Sequence, residues 1–317
     1  MGVGVVRRGR FPAAAKSRCA TLQRRRLWES DMEAGITRGW GAFFAREHEN
    51  GLPLDEADLE RAFEAGEFVM DYQPIVSIRS GAVTGADATI RWDHPDWGLL
   101  PQRVVYAVAD RLGASPRIAG HAVGEACRQL ARWKQEGAGV SALSMRLSGA
   151  QLGAESVFEQ LAQSIAELDI SSSQLTFEVP EMSTPEESPR LLDRLKRLRQ
   201  KGYGIVLGDF GAHHTAMSTL MVLPVTGVKF GEAFTERLPG SPTAEAILSS
   251  VSRLAHDLGL TLTVSGVENG RQFELLRRYR DIELQGAYLF KPMRAEVWRE
   301  CVNPRALLQL NLRESPF

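Results

Sequence analysis

Tyr72-Gln73-Pro74-Ile75-Val76 and, further on, Gly85-Ala86-Asp87-Ala88-Thr89-Ile90-Arg91-Trp92 are the stretches on which the fold turns. Both are largely apolar runs with a few polar residues set into them, and they predict strands at 68–76 and 83–91. Six more runs of this kind follow, at 141–147, 174–179, 203–208, 225–230, 260–265 and 282–285. Helix-like runs alternate with them. Leu191, Leu192, Leu195 and Leu198 share one helical face that Gly202 ends; Ile247, Val251, Leu254, Ala255 and Leu258 share another that Gly259 ends.

From about Asp55 onward this alternation is the pattern of parallel βα units. Roughly eight strands in about 250 residues predict an α/β fold, a single (β/α)8 TIM-like barrel over residues 55–303. An open doubly wound sheet fits less well, because no Gly-rich turn of the dinucleotide-binding or P-loop type follows any strand. Residues 1–54 then form an N-terminal extension and 304–317 a C-terminal tail.

The 317 residues are 44% hydrophobic and 24% charged, enough for a sizeable core. Lys and Arg number 38 against 39 Asp and Glu, so no global field recruits nucleic acid or an anionic membrane. No run approaches the roughly 18 apolar residues of a membrane span. Cys19, Cys127 and Cys301 are scattered and form no Cys-x-x-Cys pair, which predicts a reducing compartment, the cytoplasm, in place of a disulfide framework or thiolate zinc site.

Residues 1–26 depart from this balance: they carry Arg7, Arg8, Arg10, Lys16, Arg18, Arg24, Arg25 and Arg26 and no acid, which predicts disorder. Two readings stand, a basic arm for nucleic acid or lipid and an extended reading frame whose natural start is Met32. Trp40, Phe43 and Phe44 are expected to pack on the main domain.

In a barrel of this kind reactive groups sit where strands end and the following loops begin. Those positions hold Gln73, Asp87, Arg91, Arg146, Glu178, Glu181, Asp209, Lys229, Ser265, Glu268 and Gln285. Acids, amides and bases so placed suit a metal-assisted reaction on a phosphate ester, in which oxygen ligands hold hard cations and cationic side chains hold the phosphate. They equally suit ordinary salt bridges and loop anchors.

These residues lie in an ordered series of motifs. Besides the two opening stretches, the series runs through Arg91-Trp92-Asp93-His94-Pro95, Gly98-Leu99-Leu100-Pro101, Leu147-Ser148, Glu178-Val179-Pro180-Glu181 and Gly208-Asp209-Phe210-Gly211. It continues with Leu223-Pro224-Val225, Val228-Lys229, Gly266-Val267-Glu268, Gln285-Gly286 and Lys291-Pro292. From about Leu59 to Val302 the chain thus resembles the EAL domain, the bacterial cyclic di-GMP phosphodiesterase module.

The resemblance implies a metal-ligating Glu where this chain has Asp87, in Asp87-Ala88-Thr89 for Glu-Ala-Leu. A carboxylate survives there, one methylene shorter, against a metal geometry that tolerates about 0.2 Å. Thr89 puts a hydroxyl where the family packs an apolar Leu on the dinucleotide. The family's metal-binding Asn is Arg146, whose guanidinium cannot ligate Mg²⁺ and stays charged. Gly208 replaces the first Asp of Asp-Asp-Phe-Gly, and Ser265 the first Glu of Glu-Gly-Val-Glu. The remnants are Asp87, Glu178, Asp209, Lys229 and Gln285, the last two matching the lysine and glutamine near the catalytic water. Ala212-His213-His214-Thr215-Ala216 departs from the family's Thr-Gly-Tyr-Ser-Ser, a segment tied to dimerisation, and adjacent histidines make a poor metal pair.

With ligands missing at 146, 208 and 265, two cations about 3.5 to 4 Å apart lose the carboxylates that offset their repulsion. We therefore expect no catalysis and no Mg²⁺ or Mn²⁺ site. Three readings remain open. The first is a metal-independent cyclic di-GMP receptor that transmits to a regulatory protein partner, with Gln73, Arg91, Glu178, Asp209, Glu268 and Gln285 as ligand contacts and Arg91 on a phosphate. The second is an interaction module without nucleotide binding, in which Arg146 pairs internally with Glu178 or Asp87. The third is a weak phosphodiesterase with one metal on Asp87, Glu178 and Asp209. The family's biology implies motility, biofilm or virulence control, and a possible homodimer.

Overall fold

The computed structural model describes residues 52–180, 189–211 and 217–302. The expectations for the basic arm, Cys19, Met32, the Trp40 cluster, Glu181, the His213-His214 loop and the C-terminal tail fall on residues outside these ranges. The described strands are β1 (Phe68–Ser77), β2 (Val83–His94), β3 (Gly98–Leu100), β4 (Leu143–Arg146), β5 (Leu175–Pro180), β6 (Gly204–Gly208), β7 (Gly227–Phe230), β8 (Thr261–Val264) and β9 (Ile282–Leu284). They form one sheet in the order β1-β9-β8-β7-β6-β5-β4-β2-β3, and the pairing of β1 with β2 closes it. Eight strands make the barrel, and β3 folds back on β2 outside it.

From β2 through β4 to β9 every barrel pairing is parallel. The first strand departs from the expected parallel pattern: β1 runs antiparallel to both β2 and β9. The cause is the connection. Only residues 78–82 separate β1 from β2, and a parallel return needs a crossover of roughly a dozen residues or more. Their ladder sets Gln73 opposite Asp87 and Asp71 opposite Thr89.

Helices pack the outside of the barrel. The helix Glu56–Ala65 begins at Asp55, whose carboxylate accepts from the Asp58 amide in a reciprocal capping box, and ends at Gly66 in the left-handed region. Leu52 and Leu54, ahead of the expected boundary at 55, are buried, and Arg111 Nη2 donates to both of their carbonyls, at 3.0 and 2.7 Å. The packed fold therefore reaches Leu52. The ring series Tyr72, Trp133, Trp298 has neighbouring centroids 4.7 Å apart and fills the space outside β1.

The helix Pro189–Gln200 buries Leu195 and Leu198, as its leucine spacing predicts. The helix Pro242–Asp257 buries Val251 and Ala255 of the expected face and corrects its ends. Its buried stripe is Ala244, Leu248, Val251 and Ala255, at helical spacing, while Ile247 and Leu258 are exposed. Cys127 is a buried free thiol. No helix among the described residues is long and apolar enough to cross a membrane.

Candidate functional site

The carboxyl ends of the parallel strands surround a cavity of about 440 Å³. Its wall brings together Gln73, Asp87, Arg146, Glu178, Asp209, Lys229, Ser265, Glu268 and Gln285, nearly all of the residues that the sequence marks at strand ends, with Thr89 beside Asp87. The parallel register does this: Arg146 at the end of β4 faces Glu178 on β5, and Pro180 faces Gly208 at the end of β6.

Inside, the charged groups form one continuous series. Lys229 is buried on β7 and its Nζ lies 3.0 Å from Asp87 Oδ2 and 2.7 Å from Glu178 Oε2. Arg146 Nη1 lies 3.3 Å from the other oxygen of Glu178, and Arg146 Nη2 donates to Asp209 Oδ2. The order Asp87, Lys229, Glu178, Arg146, Asp209 thus alternates in sign across β2, β7, β5, β4 and the end of β6. Burial works against both cations. For Lys229 the charges of Asp87 and Glu178 overcome it and hold the ammonium above its ordinary range. For Arg146 the Asp209 hydrogen bond and the charges of Glu178, Asp209 and Asp87 do the same.

The amides complete the floor. Gln285 Nε2 donates to Gln73 Oε1 at 2.8 Å and to Asp87 Oδ2 at 3.1 Å, and Gln73 Nε2 donates to the Phe290 carbonyl at 2.9 Å. Because Gln285 Nε2 meets two acceptors, its amide orientation is fixed, and Gln285 Oε1 is left buried without a hydrogen-bond partner.

The altered positions have local consequences. A Cβ at Gly208 would come within 2.4 Å of Glu178 Oε1, so Glu178 occupies the space that a larger residue at 208 needs. Asp209, at φ 50°, is the non-glycine residue with positive φ among the described residues, and its Oδ1 leans over Gly231, where a Cβ would lie 2.4 Å away. Ser265 Oγ donates to the Phe230 carbonyl at 2.8 Å and brings no charge. Of the five carboxylates in the wall, Asp87, Glu178 and Asp209 are each engaged by Lys229 or Arg146, whereas Glu232 and Glu268 form no ion pair with a cation among the described residues. No group of three His, Cys, Asp or Glu side chains arranged to hold a metal ion occurs among the described residues.

Arg91 stands apart from its expected place. It does not line the cavity, and its Nε donates to Asp71 Oδ2 at 3.1 Å. Sequence reasoning missed Asp71, although it lies two residues before Gln73 and so on the same face of β1. It also missed Glu232, which lines the cavity three residues after Lys229. Burial and the neighbouring Glu268 and Glu236 push the Glu232 carboxyl above the ordinary range. Glu268 accepts from the Ala287 amide at 3.3 Å.

An eight-stranded barrel with an antiparallel first strand thus carries acids, amides and bases around the mouth of its parallel strands. Residues 56–292 match the EAL domain family, and the chain belongs to it. It is 30% identical over 251 residues to the oxygen sensor protein DosP of Escherichia coli, covering 78% of this chain and 31% of DosP. It is 30% identical over 242 residues to the cyclic di-GMP phosphodiesterase RocR of Pseudomonas aeruginosa, covering 75% of this chain and 60% of RocR. The chain therefore spans less than two thirds of the length of these relatives. The PaMucR phosphodiesterase in its c-di-GMP complex superposes with a TM-score of 0.70 at 30% identity, covering 76% of this chain and 97% of that one.

Proposed function

We propose that this chain is a cyclic di-GMP signalling protein that does not hydrolyse the dinucleotide, binds it without metal, and passes its level to a protein partner. The alternating series Asp87, Lys229, Glu178, Arg146, Asp209 carries this reading. Two-metal phosphodiester hydrolysis needs several carboxylates free to hold cations about 3.5 to 4 Å apart. Here the surviving carboxylates are bound to Lys229 and Arg146, Glu178 leans into the space beside Gly208, and Ser265 is tied to a backbone carbonyl. The donor set does not fit a pair of divalent cations.

Binding is supported by the walls that remain. Gln73, Glu178, Asp209, Glu268 and Gln285 line a cavity at the barrel mouth, and a 30% identical relative is solved with c-di-GMP. One observation favours a second reading, an interaction module that no longer takes the dinucleotide. The wall holds the carboxylates Asp87, Glu178, Asp209, Glu232 and Glu268 against the cations Arg146 and Lys229, an excess of negative charge facing an anionic ligand. Isothermal titration of cyclic di-GMP with chelator present decides between them. Saturable binding at micromolar or tighter affinity supports the receptor, and no heat at high micromolar concentration leaves the interaction module.

A further inference from the structure

Asp71 gathers two arginines beside the cavity. Its buried carboxylate receives Arg91 Nε on Oδ2 at 3.1 Å, and Arg294 Nε lies 3.3 Å from Oδ1. Asp71 is opposite Thr89 in the β1–β2 ladder, Arg91 is two residues beyond Thr89 on the same face of β2, and Arg294 is two residues beyond Pro292. Thr89 and Pro292 both belong to the cavity wall, so the cluster adjoins its rim. One carboxylate between two guanidiniums leaves a formal positive charge next to a wall that is otherwise acidic.

The way Asp71 holds them matters. It takes each guanidinium by Nε and leaves the terminal nitrogens facing elsewhere. Those of Arg91 have no hydrogen-bond partner among the described residues, and of those of Arg294 only Nη1 has one, a long 3.5 Å contact to the Met70 carbonyl. The side chains are 18% and 23% exposed, and those of these nitrogens that lack a partner are not sealed from solvent. Two largely desolvated cationic forks that share one carboxylate, with terminal donors left over among the described residues, suit an oxyanion.

We propose that Arg91 and Arg294, anchored on Asp71, form an anion clamp that takes a phosphate of the cyclic dinucleotide. Arg294 is the new ligand-binding residue and Asp71 the residue that positions both. This rests on the receptor reading above. It also accounts for an Arg91 that is paired internally and still able to bind: the internal partner uses Nε alone.

The test is titration of cyclic di-GMP, with chelator, into the wild-type chain and into Arg294→Gln, Arg294→Lys and Arg91→Ala, each checked by thermal unfolding. Arg294→Gln is expected to weaken binding about tenfold or more, the scale of one charge-assisted hydrogen bond, with the melting temperature retained. Arg294→Lys keeps the charge without the fork and is expected to fall between the two, which keeps the test valid if the Gln variant unfolds. Variants at 294 that bind as tightly as wild type overturn the clamp and leave the receptor reading intact. A wild-type chain that binds nothing overturns both. Inorganic phosphate that binds the wild type as tightly as the dinucleotide makes the cluster a general anion site and overturns the assignment.

Discussion

Arg146 supplies positive charge between Glu178 and Asp209 at this mouth. Truncating it leaves those carboxylates uncompensated. Because its side chain is 42% exposed, the loss falls well short of that for a fully buried pair. Arg146→Ala is expected to cost about 1–2 kcal/mol in urea unfolding. Glu232 offers a pH test. Its carboxyl is raised in the folded protein by burial and by Glu268 and Glu236. Such a group stabilises the fold fully only below the ordinary glutamate range, and that contribution is lost as pH rises through its folded value. Glu232→Gln should therefore raise the melting temperature near about pH 7 and give little or no gain near about pH 4, as read by thermal scans.

At the scale of elements, the loop after β9 is built on contact too close for any side chain. A Cβ at Gly286 would lie 2.2 to 2.6 Å from backbone atoms of Val267, next to Gln285 and its bonds to Gln73 and Asp87. Gly286→Ala is expected to destabilise by about 2 kcal/mol or more, with loss of ligand binding in whatever remains folded, measured by denaturation and titration together. The strands themselves were legible in the sequence because apolar runs of strand length between turns leave few alternatives. The direction of β1 was not, since a run of residues carries no arrow; only the brevity of 78–82 encodes it. On the helix Pro242–Asp257 the apolar spacing picks out the buried Val251 and Ala255, but it also takes in Ile247 and Leu258, which are apolar yet exposed.

For the whole molecule, barrel topology predicts which residues meet but not how they pair. Asp87, Arg146, Glu178, Asp209 and Lys229 were all visible as strand-end residues, whereas the alternation that ties them together depends on distances across five strands. The motif predicts Arg91 on the ligand, whereas its hold on Asp71 comes from the antiparallel register of β1, which the motif does not encode. The same interdependence limits repair. Gly208→Asp alone collides with Glu178 and leaves Arg146 in place, so it is expected to gain no Mn²⁺-dependent rise in melting temperature. Combining it with Arg146→Asn and Ser265→Glu is expected to produce one.

If organic cations stand where the family holds metals, the wild-type chain incubated with cyclic di-GMP and Mg²⁺ or Mn²⁺ yields no linear dinucleotide above the protein-free blank when the products are separated by chromatography. Metal-dependent formation of the linear product, abolished by Asp209→Ala, is the opposite result and means that the site still holds catalytic metal.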